Sequence, residues 1–414
     1  MKKEIKNHPD LYIFVSCTQL YTDAVIHEKP YNALMARYLS ALNDKAEYEC
    51  SNEVYKQLDR TFLGEYDFAC MDDTYENIDK NGELISDKLC ASKEAYLVLT
   101  RHQSTGLSIL TIIIPQNSYD VTAIQDQVST DHIYLSDIGE NKFERLSTVL
   151  QEKYGLKKIG NSKCLVCLKN KPQSEQELCA MLASESYNST QMDYKIKSNQ
   201  FLTMCNTNIA QYDFYEAYAS SSTVVYIVDK ISKVFKDNLE YEIAMVFICE
   251  LILFQNAAIA RANDRIIKSL TSEVRISLKY IEELHVEFGK TIVFWNVNNF
   301  KYELPQILSD LIAESFQTPK LLEGYRRNQE HLEHLIDLRN SQSSEREGKV
   351  INAIAILLAV IQVIPLLIDA VHFTINSGVN LVYPVSFSAM GFLVVLILFI
   401  LARKRKAKKS KHRL

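Results

Sequence analysis

The sequence predicts an α+β cytoplasmic domain, followed by a long helical stalk and two C-terminal transmembrane helices. Three observations predict this class. Short β-rich apolar runs alternate with helical patterns in the first half of the chain, the pattern then becomes helical, and two long apolar segments precede a basic tail. The alternation indicates a layered domain, whereas apolar segments of about 20 residues indicate membrane spans.

Residues 1–205 form the predicted α/β cytoplasmic domain. Runs rich in β-branched and aromatic residues indicate strands, and apolar residues at helical spacing indicate helices near 31–42 and 142–154. The polar turn 102–106 between two strand-like runs predicts a hairpin. The predicted strands are 11–16, 66–71, 94–100, 107–115 and 163–168.

Residues 206–317 form a predicted helical cytoplasmic subdomain, which also contains one candidate strand at 223–228. A stalk helix is predicted over 318–349. Pro319 suits the first turn of a helix, and no further proline occurs before Pro365. About 30 helical residues span ~45 Å, so the stalk would join the body to the membrane as a stiff link.

Residues 350–373 and 381–402 are the predicted transmembrane helices. Each holds about 22 mostly apolar residues, which is enough to cross ~30 Å of hydrocarbon at ~1.5 Å per residue. The second span carries no charged residue, whereas the first contains Asn352, Gln362 and Asp369. Polar side chains within a span usually face a bundle interior or water, so the two spans are predicted to have different surroundings.

The charge around the spans predicts their orientation. The basic tail, residues 403–414, holds eight of the 46 Lys and Arg residues, and the outer loop, residues 374–380, holds none. Basic flanks stay on the cytoplasmic side, and two spans return the chain to the side it came from. We therefore expect both termini and the body in the cytoplasm, with the spans in the cell inner membrane. The basic N-terminus lacks the apolar stretch of a signal peptide.

The composition of the body limits its partners. Removing the tail's eight basic residues from the 46 leaves 38 Lys and Arg against 51 Asp and Glu. That balance disfavours direct binding of nucleic acid. The nine cysteines are odd in number and scattered, which is typical of a reduced, cytosolic protein. Cys164 and Cys167 form a C-x-x-C, but its apolar, strand-like surroundings favour a strand core over a metal or redox site.

One stripe of the first span is the candidate pore lining. At 100° per residue, Gln362 and Asp369 lie about 20° apart on one helical face. In a symmetric oligomer this face would form a hydrophobic constriction with two polar rings, as in a gated cation path. The alternative is that both side chains only hydrogen-bond between helices. The candidate pore-lining residues are Asn352, Ala355, Leu358, Gln362, Leu366 and Asp369.

Two further features have both a structural and a functional interpretation. Residues 243–260 approach spanning length, but Glu250 interrupts them and a charged helix continues through Arg261, so a buried core helix is favoured. On the stalk, His331 and His334 stand beside glutamates without the H-E-x-x-H spacing of a zinc hydrolase, so a solvated face is favoured and no metal site is assigned.

The layout resembles the CorA superfamily of cation channels and transporters: a cytoplasmic body, a long helix entering the first span, a short outer loop, a second span and a basic tail. The family signature in the outer loop is Gly-Met-Asn, and Gly378-Val379-Asn380 matches its Gly-Val-Asn variant. The resemblance implies a pentamer with the first span lining the pore, and a divalent cation as possible cargo. Ser377 replaces the aromatic residue usual before the glycine, and no acidic loop follows, which disfavours housekeeping magnesium uptake.

The chain is more similar to the divergent CorA-type proteins encoded beside type III CRISPR systems. That resemblance implies an antiviral effector whose cytoplasmic part binds a nucleotide second messenger, an S-adenosyl-methionine–AMP conjugate, and opens a membrane pore. It rests on size, layout and the degenerate outer loop, and no motif marks the ligand-binding residues.

Two function classes remain as alternatives to the channel or transporter. An enzyme is disfavoured because the nearest phosphate-loop pattern, residues 155–162, has Asn161 where lysine is required and follows a helix instead of a strand. No G-x-S-x-G or G-x-G-x-x-G occurs, and no catalytic residue is assigned. A membrane-anchored adaptor or sensor without a pore would need the spans only as an anchor.

Overall fold

The structure is a computed structural model of the 414-residue chain. It divides into two compact units, Met1–Leu332 and Glu333–Leu414. The residues that it describes are 11–20, 26–50, 58–70, 93–103, 105–116, 121–129, 132–140, 142–158, 161–169, 171–172, 174–185, 207–228, 239–271, 280, 283–284, 286, 288–289, 300–334, 336–337 and 348–356.

The first unit is built on one ten-stranded sheet, so the predicted mixed α+β class is confirmed. The strands are β1 (Leu11–Leu20), β2 (Leu58–Cys70), β3 (Lys93–His102), β4 (Leu107–Gln116), β5 (Ile133–Asp137), β6 (Glu144–Arg145), β7 (Lys157–Lys158), β8 (Lys163–Leu168), β9 (Tyr215–Ala219) and β10 (Thr223–Val228). All five predicted strands of the first 205 residues fall within or overlap β1, β2, β3, β4 and β8.

The sheet has the order β6-β5-β2-β3-β4-β1-β8-β10-β9, with β7 also paired to β1. Neighbouring strands are antiparallel except for β8 and β10, which are parallel. β3 and β4 form the predicted hairpin, in which Gly106 turns the chain at a φ of 65°. Glycine has no Cβ and adopts this left-handed conformation readily.

Helices cover both faces of the sheet. One face carries α1 (Ala33–Glu49), α5 (Leu239–Thr271) and α6 (Glu303–Ser315), and the other carries α2 (Val121–Ser129), α3 (Leu146–Tyr154) and α4 (Glu175–Ala183). Successive strand residues point to opposite faces, so Val98 joins the first core while Leu97 and Leu99 join the second. Burial on both faces explains why β8 and β10 are nearly continuous apolar runs.

The structure divides the body differently from the predicted 1–205 and 206–317 domains. β9 and β10 lie in the second of these segments, yet they complete the sheet through the pairing of β10 with β8. α5 and α6 then pack on the same sheet. Residues 1–332 therefore form one compact unit, because the strand pairing joins segments that the helical pattern had separated.

α5 is the centre of the first core. Among the described residues it is the one helix long and apolar enough to cross a membrane, over Glu242–Ser269, and 83% of its most apolar stretch is buried inside the protein. The predicted buried core helix at 243–260 is confirmed. Cys164 and Cys167 of β8 are 4% and 2% exposed, which confirms the predicted strand core.

Of the second unit, the structure describes residues 333–334, 336–337 and 348–356. Residues 348–356 are helical, and every side chain of residues 350–356 is exposed. Val350, Ile351, Ile354 and Ile356 are between 43% and 65% exposed. The rest of the predicted first span, the outer loop, the second span and the basic tail lie outside the described residues, as do residues 338–347 of the predicted stalk.

Candidate functional site

α5 is fixed to the sheet by a buried carboxylate, Glu250, which is 0% exposed. Its Oε1 atom accepts hydrogen bonds from the hydroxyls of Thr100 and Thr111, each at 3.1 Å. Its Oε2 atom pairs with Nη2 of Arg60 at 3.3 Å. A buried charge is tolerated only where it is paired and hydrogen-bonded, and strands β2, β3 and β4 together supply those partners.

Arg60 extends this network to the neighbouring helix. Its side chain is 2% exposed, and Nη1 donates to Oδ1 of Asn43 on α1 at 2.9 Å. The guanidinium also lies 6.0 Å from the centre of the Phe247 ring. Burial raises the pKa of the nearby Tyr38 hydroxyl, and the charge of Glu250 raises it further. The network therefore connects α1, the sheet and α5 in one buried polar centre.

About three turns further along, α5 contacts the β3–β4 hairpin. Both terminal nitrogens of Arg261 donate to the carbonyl oxygen of Thr105, each at 3.0 Å. The turn also contains two contacts of its own. The Thr105 hydroxyl lies 3.0 Å from Nδ1 of His102, and it accepts a hydrogen bond from the Leu107 amide at 3.3 Å. His102 is fully buried. Arg261 is thus held in place by the end of a sheet hairpin.

The same arginine lines an open cleft. The cleft lies between α5, helical positions 284 and 288, and the helix 318–334 that begins the predicted stalk. Its walls are mainly apolar, and its charged side chains are two arginines of α5. The lining residues are Ala258, Arg261, Ala262, Arg265, Ile266, Leu284, Phe288 and Tyr325.

The two arginines make the cleft cationic. Arg261 and Arg265 are four residues apart and therefore lie on the same face of α5. Burial lowers the pKa of Arg261 to about 10, and the charge of Arg265 contributes to the lowering. Arg261 still carries a positive charge at neutral pH, and Arg265 is exposed at the surface. An anion entering the cleft would reduce the repulsion between them.

The 318–334 helix forms the remaining wall of the cleft. The ring of Tyr325, which is 5% exposed, stacks on the ring of Phe288 at 4.2 Å between centroids and an interplanar angle of 27°. One turn on, Nδ2 of Asn328 donates to Oδ1 of Asn263 on α5 at 2.6 Å. A change in the cleft therefore acts directly on contacts between α5 and the base of the stalk.

The residues predicted from the sequence lie elsewhere. Asn352 and Ala355 belong to the 348–356 helix and are exposed. The other candidate pore-lining residues and the outer-loop signature lie outside the described residues: Leu358, Gln362, Leu366, Asp369, Gly378, Val379 and Asn380. Their roles stay predictions.

The stalk histidines lie on an exposed helical face. His331 and His334 are exposed in the 318–334 helix, beside the exposed Glu330 and Glu333. No group of three or more His, Cys, Asp or Glu side chains is placed to hold a metal ion among the residues that the structure describes. The favoured interpretation of these four residues as a solvated face agrees with their exposure.

Sequence reasoning did not find the cleft. Its members come from three segments, near positions 261, 288 and 325, and no spacing rule connects them. The available signal was the pair of arginines that follows a long apolar run in α5. No protein-family model, curated protein or solved structure matches this chain. What the cleft binds must therefore follow from its own residues.

Proposed function

We propose that the chain is an oligomeric, CorA-like membrane channel that is gated through its cytoplasmic body. The observation that carries the proposal is the apolar helical segment 350–356, whose side chains are exposed on every face. Six of its seven residues are apolar, and a helix with apolar residues on nearly all sides belongs in a protein core or a membrane. This segment begins the 22-residue run that the sequence marks as a membrane span.

The contacts at the base of the stalk support control of the pore by the body. α5 is fixed to the sheet by Glu250 and to a hairpin by Arg261, and it contacts the 318–334 helix through Asn263 and Asn328. A packed polar and aromatic contact of this kind can hold two elements in one of two discrete arrangements. In the proposed channel, a ligand in the body shifts this contact, and the stalk transmits the shift to the first span.

The ligand in this proposal is a nucleotide second messenger, the S-adenosyl-methionine–AMP conjugate implied by the resemblance to type III CRISPR effectors. Opening the pore would disrupt the membrane of an infected cell. A divalent cation transporter of the CorA superfamily would share the fold, but it would conduct without the nucleotide. A membrane-anchored adaptor would not conduct at all.

Ion flux into liposomes that contain the purified protein tests the proposal. The parent protein is expected to conduct when the ligand is present. Replacing Gln362 or Asp369 by leucine removes a polar ring from the predicted pore, and we expect at least about a tenfold change in flux, since each tenfold corresponds to only about 1.4 kcal/mol of barrier.

Ser388→Leu is the matched control, because it replaces a polar residue by leucine in the second span. Its flux should equal that of the parent protein. No flux from the parent protein would identify the spans as an anchor. Equal flux from all four proteins would contradict the assignment of Gln362 and Asp369 to the pore lining. Flux that is independent of the nucleotide would favour the transporter.

A further inference from the structure

The cleft between α5 and the base of the stalk places charged side chains next to buried apolar ones. It brings two guanidinium groups to walls formed by Ile266, Leu284 and the stacked rings of Phe288 and Tyr325. Ile266 and Leu284 are 3% and 8% exposed, so the walls are well packed. Electrostatic attraction is stronger next to apolar walls than in open water.

We infer that this cleft binds a phosphate group, which is held by Arg261 and Arg265 and carried by a small ligand or a phospholipid headgroup. Guanidinium groups are planar and offer several N–H donors in a fixed fork that matches phosphate oxygens. Arg261 is held in place through Thr105, whereas Arg265 stands exposed at the surface. A ligand that enters the cleft from solvent would therefore contact Arg265 first.

The helix dipole does not explain the position of Arg261. Cations near the C-terminus of a helix are stabilised by its dipole, but the effect is confined to about the last turn. α5 ends at Thr271, so Arg261 lies nearly three turns before its end. The cation in the last turn is Lys268, which pairs with Asp264 at 2.6 Å and is not part of the cleft.

The position of the cleft gives phosphate binding a consequence. A bound phosphate would draw the α5 guanidinium groups together beside the ring of Tyr325, and would so act on the contact between α5 and the 318–334 helix. This consequence for gating rests on the proposed function. Binding itself does not, so the experiment measures binding and flux separately.

Titration calorimetry on the purified full-length protein in detergent tests the assignment. The probes are inorganic phosphate and AMP for a soluble source, and a short-chain phosphatidic acid for a lipid source. Arg265→Gln should weaken binding by about tenfold or more, the usual effect of losing one charge-assisted hydrogen bond. Lys268→Gln removes one positive charge from the same helix outside the cleft, and it should leave the affinity unchanged.

Each outcome decides the assignment. Saturable binding of AMP or phosphate that Arg265→Gln weakens and Lys268→Gln does not would support a soluble ligand, and the same pattern with phosphatidic acid alone would assign the phosphate to lipid. No saturable binding of any probe would overturn the inference, as would an equal loss in both variants. If the parent binds a probe but carries no ion flux, the site stands and the channel proposal fails.

Discussion

Single residues determine how firmly α5 is held to the sheet. Glu250 is fully buried, and three donors from β2, β3 and β4 surround it. Its main partner, Arg60, is equally inaccessible to water. Removing one member of a buried ion pair leaves the other as an uncompensated charge, which is far more costly than replacing both members by apolar residues.

We therefore expect Glu250→Leu to lower the free energy of unfolding of the body by about 3–5 kcal/mol, because Arg60 then remains buried without its carboxylate. Urea unfolding of the purified protein, followed by circular dichroism, measures the change. Thr100→Val is the matched control, since it removes a single hydrogen bond to the same carboxylate and should cost about 1 kcal/mol.

The double variant Arg60→Met with Glu250→Leu separates the charge from the packing. If the loss comes from the unpaired arginine, most of the stability returns in the double variant. If the double variant is as unstable as Glu250→Leu, the loss comes from packing around position 250, and the ion-pair explanation is wrong.

At the scale of the element, α5 could belong either to a membrane or to a protein core. Its 33 residues are long enough for either environment. The structure buries the apolar stretch between the sheet and neighbouring helices, and it gives the interrupting Glu250 a set of partners. Near its C-terminal end, Arg261 and Arg265 line the cleft, and Asp264 and Lys268 are exposed.

The thiol of Cys249 on α5 provides a test of that placement. It is 4% exposed, and burial raises its pKa to about 12, so almost no thiolate exists at neutral pH. We expect native protein to react with maleimide at Cys249 at least about a hundredfold more slowly than a cysteine introduced by Ile267→Cys. Ile267 is 45% exposed on the same helix.

Mass spectrometry of the labelled peptides measures both rates in one sample. Labelling of Cys249 should become fast only after denaturation. Fast labelling of Cys249 in the native protein would contradict the burial of α5 in the core of the body.

At the scale of the whole molecule, the proposed channel requires several copies of the chain. A pore lined by one stripe of the first span needs a ring of such spans around an axis, and closed rings arise from cyclic symmetry. The exposed apolar side chains of residues 350–356 are consistent with a segment that meets lipid or other copies. A helix that lies in water would not expose so many apolar side chains.

The protein purified in detergent should therefore be a ring oligomer with a protein mass of roughly five times the 47.5 kDa chain, as cyclic assembly of a pentamer requires. Native mass spectrometry or light scattering corrected for bound detergent measures this mass. A monomer or a dimer would contradict the pore, because two first spans cannot enclose a central passage.

The sequence by itself determined most elements of the body and their burial. β4 runs over Leu107–Gln116, one residue beyond the predicted 107–115, and the hairpin turn stands at the predicted position. The C-x-x-C and the α5 core helix are buried as predicted. These features depend on local hydrophobic patterns, which a stretch of ten to twenty residues already contains.

Only the tertiary structure decided that β8 and β10 pair within one sheet, and that Arg261 contacts Thr105 beside a cleft shared with Tyr325. The pairing of β8 with β10 joins two segments that the sequence pattern had assigned to different domains. The cleft joins side chains that are up to 67 residues apart in the chain, and Arg261 contacts a hairpin residue 156 positions before it. Such contacts depend on how all the elements pack together, and no local pattern records that packing.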